Sequence, residues 1–219
     1  MNNANQIKII QDTREPQNNP QEIYMVSRGI KVYHAPLVVG DYALCSPEAE
    51  HMFNLIQTDR RKNLRHEILK KGEPTTKEEW ARLKAIDAYD QSELNIARVD
   101  SVGTFDRAVD LKRSIKEIRT NFCQAAERRR IERECYRAKN LGIHLTFLIL
   151  HETLTDIDEL TTVMYHDYDI GRTVTGEELM DGIDPIRALP WVDFKLCRYN
   201  RTVQTMLAIL QGRDPGDLS

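Results

Sequence analysis

The sequence lacks the motifs of the commonest nucleotide-dependent enzymes. It contains no GxxxxGK[ST] loop and no GxGxxG segment after a predicted strand, which argues against ATP hydrolysis and against a bound dinucleotide. Its four cysteines form no CxxC pair and have no histidine at zinc-finger spacing. We therefore expect reduced, partly buried thiols of the cytosolic kind, with no nucleotide cofactor and no zinc-finger site.

Long apolar runs and a strong excess of one charge are also lacking. No stretch approaches the roughly 20 apolar residues that a membrane span requires. Residues 1–6 show no basic region followed by an apolar one, so we expect neither a membrane anchor nor a signal peptide. The formal net charge of −3 gives no general attraction to nucleic acid. A function on nucleic acid therefore requires a local basic surface.

Short apolar segments alternate with helical patterns along the chain. The predicted strands cover residues 7–10, 31–39 with a break at Pro36, 42–45, 108–112, 145–150 and 192–197. The predicted helices start at caps or capping boxes at residues 19–22, 114–117 and 175–178, and a further one covers 201–210. Gly29 and Gly142 are predicted helix ends. This alternation predicts one α/β domain over residues 1–219, with a mixed sheet whose centre is strand 145–150.

The segment from about residue 52 to residue 100 has a different character. It is charged and helical in period, and a capping box at residues 76–79 leads into Trp80, Leu83 and Ile86 on one helix face. We predict a helical insertion in the α/β core. Its basic stretch at residues 60–71 is either an ordinary solvated surface or a second phosphate-binding face.

Carboxylates follow three of the predicted strands. The first group is Asp12 with Glu15, the second is Asp41, and the third is Asp110, which is followed by Lys112. Because side chains alternate along a strand, Asp110 and Lys112 project to one face and Leu111 projects to the other. Each segment alone is usually structural, and Asp-x-Lys most often marks a surface ion pair. The three together, each at the end of an apolar run, favour a catalytic site.

These residue types suit phosphodiester hydrolysis assisted by a metal. Asp41 and Asp110 offer the oxygen ligands that Mg²⁺ prefers, with Mn²⁺ as an alternative ion, and the Leu111 carbonyl is a further ligand. Asp12 and Glu15 would complete the ligand set or hold a second metal. Lys112 would position the attacking water or stabilise developing negative charge.

In this order the segments resemble the nuclease domain of the XPF family of structure-specific endonucleases, a branch of the PD-(D/E)xK group. The family's Asp-x-Arg-Glu, Gly-Asp and Glu-Arg-Lys segments are matched by residues 12–15, 40–41 and 110–112. Its later helix with an Arg-Leu-x-x-Gln pattern is matched by residues 130–134, and its apolar strand ending in an acid by residues 147–152. The resemblance covers most of residues 7–152 outside the insertion.

The resemblance implies a restriction-endonuclease-like α/β/α sandwich and a Mg²⁺-dependent DNA endonuclease that cuts branched or flapped DNA in repair or recombination. It implies that a homodimer can form, and the chain looks like a small stand-alone member from a bacterium or phage, cytoplasmic and associated with the nucleoid. Arg130 is expected to face the active site. Contacts to DNA phosphates are expected from Arg14, Arg113, Arg129 and Arg133.

The sequence also departs from the family pattern. Asp110 is one methylene shorter than the family's glutamate, Leu111 removes a cation, and Glu134 stands where glutamine is usual. Residues 42–109 replace a short connection, and no helix-hairpin-helix module is evident after residue 152. Two alternatives stay open: a catalytically inactive nuclease-fold subunit that binds DNA or acts as a scaffold, and a restriction or recombination nuclease with sequence preference.

The basic segment at residues 128–139 has two interpretations. Its arginines are interleaved with glutamates, a pattern typical of a solvated helix with i,i+4 ion pairs. The other interpretation assigns the arginines to DNA phosphates. His34, His144 and His151 lie in or beside predicted strands, where a structural role is more common than a catalytic one.

Overall fold

A six-stranded mixed sheet forms the centre of the computed structural model, which describes residues 6–51, 53, 54, 76 and 105–215. Its strands are β1 (Lys8–Asp12), β2 (Lys31–Ala35), β3 (Tyr42–Leu44), β4 (Arg107–Lys112), β5 (His144–Leu150) and β8 (Val192–Cys197). Strands β6 (Met164–Asp167) and β7 (Arg172–Thr175) form a separate antiparallel hairpin.

The strand order across the sheet is β2-β1-β3-β4-β5-β8. β3 is antiparallel to both of its neighbours, whereas the pairs β1–β2, β4–β5 and β5–β8 are parallel. The carboxyl ends of β1, β4, β5 and β8 therefore lie at one edge of the sheet, together with the beginning of β3. All three predicted acidic segments occur at this edge.

Helices cover both faces of the sheet. They are α1 (Pro20–Ser27), α2 (Ile115–Ile118), a π-helix (Arg119–Cys123), α3 (Ala125–Leu141), α4 (Gly176–Arg187) and α5 (Thr202–Leu210), with 3₁₀ turns at Ile157–Thr162 and Tyr199–Arg201. Residues 47–51 are also helical. Helices α3 and α4 share a core with one face of the sheet, and α1 and α5 share a core with the other. The predicted α/β sandwich with a mixed sheet is confirmed.

Side chains that alternate along β4 and β5 pack into two cores on opposite faces of the sheet. Phe147 packs edge-on against Phe122 at 5.2 Å on the α3 side, while Leu148 joins Met206 in the core on the α5 side. Burial of each large apolar side chain contributes roughly 1.5–3 kcal/mol. The two cores fix which face of β4 carries each side chain, because Leu111 lies in the α5 core and Asp110 and Lys112 must face α3.

The predicted helix starts are confirmed by their caps. The side chains of Asn19, Ser114 and Thr175 accept hydrogen bonds from the backbone N–H groups of Glu22, Glu117 and Glu178. Helix α3 ends at Leu141 because Gly142, at φ 69°, adopts the left-handed conformation that terminates it.

The predicted centre of the sheet was wrong. Strand β5 is an interior strand but not the central one, because β8 lies beyond it at the edge. Its apolar run reflects cover on both faces, which any interior parallel strand has. Strand β2 ends at Ala35, directly before the predicted break at Pro36, which has no N–H for the ladder. The hairpin of β6 and β7 was not predicted.

The predicted insertion at about residues 52–100, including the basic stretch at residues 60–71, lies outside the described residues apart from residues 53, 54 and 76. Within the described part of the chain, no helix is long and apolar enough to cross a membrane.

Candidate active site

A cavity of about 340 Å³ opens at the shared edge of the sheet, beneath the start of α3. Its wall is formed by Arg14, Glu15, Asp41, Asp110, Lys112, Glu117, Thr120, Asn121, Glu127, Arg130 and Glu134. The structure thus brings together Glu15, Asp41, Asp110, Lys112 and Arg130 from distant parts of the sequence. It adds three glutamates, Glu117, Glu127 and Glu134, and two residues of the π-helix, Thr120 and Asn121.

Asp41 is placed by the turn that leads into β3. Gly40 has a φ of +71°, and a Cβ there would lie 3.0 Å from both the Ala108 Cβ and the Val109 oxygen, so the turn requires glycine. The Asp41 N–H donates to the Val109 carbonyl at 2.8 Å, and the Asp41 Oδ2 atom accepts from the Leu111 N–H at 2.8 Å. This carboxylate is therefore fixed directly beside Asp110.

Asp110 and Lys112 are both buried, with only 4% of each residue exposed. The Lys112 Nζ atom lies 2.6 Å from the Asp110 Oδ1 atom, but not in hydrogen-bond geometry. Among the described residues, the buried Oδ1 atom consequently has no hydrogen-bond partner. The contact is nevertheless a close buried ion pair, in which the Lys112 ammonium offsets the charge of Asp110.

The carboxylates crowd each other electrostatically. Burial and repulsion from Asp110 and Glu15 raise the pKa of Asp41 well above its ordinary value, and burial with repulsion from Asp110 raises the pKa of Glu134. Burial lowers the pKa of Lys112, but attraction to Asp110 and Asp41 outweighs this effect, so the pKa is raised. The ammonium is therefore charged at neutral pH.

Glu134 is a buried residue of the cavity wall that the sequence did not predict as a site residue. It projects from α3 with 5% of its surface exposed, and its Oε1 atom accepts from the Gly40 N–H at 2.9 Å. Its Oε2 atom lies 3.8 Å from the Arg130 Nη1 atom. The signal in the sequence is its i,i+4 spacing from Arg130.

Asp12, predicted as a catalytic residue and metal ligand, is fully buried and lies outside the cavity wall. Its Oδ1 atom accepts from the Arg14 backbone N–H at 2.7 Å and from Nε at 2.9 Å. Its Oδ2 atom accepts from Arg14 Nη2 at 2.7 Å and from the Leu37 N–H at 2.9 Å. These four bonds hold a fully buried carboxylate in place, so Asp12 stabilises the loop that carries Arg14 and Glu15.

Two predicted DNA contacts are engaged in ion pairs. Arg113 pairs with Glu15, and Arg14, which lines the cavity, pairs with Asp12 while keeping 66% of its side chain exposed. Hydrogen bonding to Asp12 raises the pKa of Arg14. Arg14 can still reach a ligand at the mouth of the cavity, whereas a ligand of Arg113 must compete with Glu15.

Some arginines of α3 form surface ion pairs, and others are exposed in positions that could contact DNA phosphates. Arg130 donates to Glu127 at 2.9 Å and to the Asn121 Oδ1 atom at 2.5 Å, and Arg128 lies 3.3 Å from Glu132. Arg129 and Arg133, spaced i,i+4, are exposed beside them. The helix therefore carries surface ion pairs, and Arg129 and Arg133 are among its solvent-exposed cations.

The remaining candidates have structural partners. The His144 ring lies 2.9 Å from Asp193, the His151 Nδ1 atom accepts from the Thr153 N–H, and the His34 ring lies 3.0 Å from Glu22. All four cysteines are free thiols, as predicted.

Comparisons with known proteins assign no family. No protein-family model matches the chain, and no curated protein matches it significantly. Within the described ranges, no three His, Cys, Asp or Glu side chains form a group that could hold a metal ion. A metal at this cavity would therefore need backbone oxygen or water in addition to carboxylates.

Proposed function

We propose that this chain is a divalent-metal-dependent DNA endonuclease that hydrolyses phosphodiester bonds. The observation that carries the proposal is the meeting of Asp41, Asp110 and Lys112 in one cavity, where a single buried ammonium lies among several carboxylates. Burial and repulsion from Asp110 and Glu15 raise the pKa of Asp41. A bound cation would offset the negative charge of these carboxylates.

The donor set fits Mg²⁺, with Mn²⁺ as an alternative. Asp41 and Asp110 would hold the ion together with the Leu111 carbonyl, which lies on the same side of β4 as the Leu111 N–H that binds Asp41. Mg²⁺ usually keeps several waters and takes only one or two carboxylates, so three converging acidic side chains are not required. When bound, the ion would supply Lewis-acid polarisation of a phosphate oxygen.

The cations of the cavity suggest roles for the chain's own residues. Because the pKa of Lys112 is raised, this residue acts as a charged hydrogen-bond donor to a phosphate oxygen or to the attacking water, rather than as a general base. Arg130 and Arg14 lie at the cavity wall, where they would orient the phosphate. Glu15 holds Arg113 beside the same site.

The basic side of α3 supports nucleic acid as the substrate. Arg129 and Arg133 are exposed next to an acidic cavity, so they would hold flanking phosphates while the metal offsets the acidity of the centre. The resemblance to the XPF family supports the finer parts of the proposal. These are a restriction-endonuclease-like form of the sandwich, branched or flapped DNA as substrate, homodimer formation, and a cytoplasmic location at the nucleoid.

One observation favours the alternative of an inactive nuclease-fold subunit. Lys112 already contacts Asp110 at 2.6 Å and partly neutralises it, and within the described residues no group of three metal-binding side chains is present. Such a subunit would bind DNA through α3 without cutting it.

A cleavage assay tests the proposal. We expect the wild-type protein to cut flap, fork or duplex DNA in Mg²⁺ or Mn²⁺, and we expect Asp110→Asn and Lys112→Ala to lower the rate by about 10²-fold or more. Asp193→Asn is the matched control, because Asp193 is an exposed carboxylate at the opposite end of the sheet. Failure of the wild type to cut any substrate, or full activity of Asp110→Asn, would overturn the proposal.

A further inference from the structure

A second cavity, of about 300 Å³, lies on the other face of the sheet between α1 and the start of α5. Its wall includes Pro20, Gln21, Tyr24, Tyr199, Asn200 and Gln204, and none of its lining residues is charged. The volume is at the lower end of the roughly 300–1,000 Å³ that small-molecule sites span. The cavity therefore suits a compact neutral group and offers nothing to balance the charge of a phosphate.

Amide groups give this cavity unused hydrogen-bonding capacity. The Gln21 Oε1 atom is buried and has no hydrogen-bond partner among the described residues. The Gln204 Nε2 atom donates to the Tyr24 hydroxyl at 2.8 Å, which fixes the orientation of this second amide. A buried acceptor that stays unpaired costs free energy. A ligand that carries an N–H donor would supply the missing partner of the Gln21 Oε1 atom.

One hydrogen bond links the cavity wall to the backbone beside the acidic site. The Tyr199 hydroxyl donates to the Arg113 carbonyl at 3.2 Å, and 51% of the Tyr199 surface is exposed, so the ring is held at one end while the rest stays accessible. Arg113 directly follows Lys112 in sequence and pairs with Glu15 in the wall of the acidic cavity. Tyr199 is therefore held against the residue that follows Lys112.

We propose that this cavity binds one unpaired nucleobase of the substrate strand. This inference rests on the proposed function for the identity of the substrate. A nucleobase is flat and neutral, it carries N–H donors and carbonyl acceptors on its edge, and single-stranded bases are commonly bound by aromatic stacking with amide contacts. A base within a duplex presents neither its face nor its pairing edge, so the cavity selects strands that are single-stranded or locally opened.

Binding of a fluorescent oligonucleotide tests this inference. The probe is a single-stranded DNA that contains 2-aminopurine, and the protein carries Asp110→Asn so that the DNA stays intact. We expect the probe to bind more tightly than the same sequence in a duplex, with quenching of the stacked base. Tyr199→Ala should weaken binding by about ten- to a hundredfold, and Tyr199→Phe, which keeps the ring, should bind nearly as well as the parent.

Two further variants make the test specific. Tyr168→Ala is the matched control, because Tyr168 is 88% exposed on the β6–β7 hairpin and outside the cavity, and we expect it to bind like the parent. Gln21→Leu should change the preference among the four bases at the probe position, because it removes the unpaired acceptor. Equal binding by Tyr199→Ala and the parent, or no change in preference with Gln21→Leu, would overturn the inference.

The two proposals can fail separately. If the wild-type protein cuts DNA but Tyr199→Ala binds single strands normally, the base site is wrong and the nuclease stands. If no substrate is cut but binding still depends on Tyr199, the nuclease is wrong and the base site stands. If the cavity instead receives a second copy of the chain, Tyr199→Ala will change the sedimentation behaviour and leave probe binding unaltered, which also overturns the inference.

Discussion

Two replacements of Glu134 distinguish the contribution of its hydrogen bond to stability from the contribution of its charge. Glu134→Gln removes the negative charge and keeps an acceptor for the Gly40 N–H, whereas Glu134→Ala removes both. Since the Gly40 N–H is buried, its loss of a partner costs about 1–3 kcal/mol of unfolding free energy. The alanine variant should therefore be less stable than the glutamine variant by at least about this amount. That difference corresponds to a fall in Tm of roughly 2–12 °C for a chain of this size.

The charge itself has a predictable effect on pH dependence. Because burial and Asp110 raise the pKa of Glu134, the folded state keeps a proton to higher pH than the unfolded chain does. Without metal, wild-type stability should fall as pH rises from the ordinary carboxyl value of 4.5 through the raised value, and Glu134→Gln should lose less over this range. At neutral pH the glutamine variant should thus be more stable than the wild type.

Thermal unfolding of the three proteins from pH 4.5 to pH 8, with chelator present, measures both effects. The reasoning about the hydrogen bond is refuted if the alanine and glutamine variants unfold at the same temperature. The reasoning about the charge is refuted if the wild type and the glutamine variant show parallel pH profiles.

Three further predictions concern packing, metal and DNA. Gly176→Ala should lower the free energy of unfolding by about 3 kcal/mol or more in denaturant, because its Cβ would lie 1.9 Å from the Leu160 oxygen. Gly29→Ala should cost only about 1–2 kcal/mol, because Gly29 has open space around it and a φ of +75°. Equal losses in the two variants would contradict this. Mg²⁺ at about 100 times its Kd should stabilise the wild type by about 2.7 kcal/mol, and Asp41→Asn should abolish that shift in a thermal melt. Arg129→Gln with Arg133→Gln should weaken DNA binding and make the log–log salt slope shallower by about 1 per lost phosphate contact, and an unchanged slope would exclude these contacts.

Much of the fold could be predicted because its signals are local. The caps at Asn19, Ser114 and Thr175 fixed helix starts, and alternation around Leu111 correctly placed Asp110 and Lys112 on one face. Strand order could not be predicted in this way. The position of β8 beyond β5 depends on pairing between segments distant in sequence, and the β6–β7 hairpin is short with largely exposed strands, so its apolar pattern is weak.

The site shows the same division. Asp110 and Lys112 follow from the strand pattern, because they occupy the carboxyl end of β4. Asp41 lies at the same edge for a different reason, since it precedes β3, which is antiparallel to β1 and β4. The direction of the Asp12 side chain could not be inferred from sequence, because it depends on hydrogen bonds from the Arg14 side chain and from the Leu37 N–H. The role of Glu134 depends on the angle at which α3 crosses the Gly40 turn, which no local pattern encodes.

Titration of the protein with Mn²⁺, followed by calorimetry or by the loss of free-ion electron paramagnetic resonance signal, tests the central claim most directly. We predict that the wild-type chain binds Mn²⁺ at a site for which Mg²⁺ competes. Asp110→Asn should lose this site, and Asp193→Asn should keep it. The absence of such a site in the folded wild type, or its persistence in Asp110→Asn, would contradict the assignment of Asp41 and Asp110 to a catalytic metal.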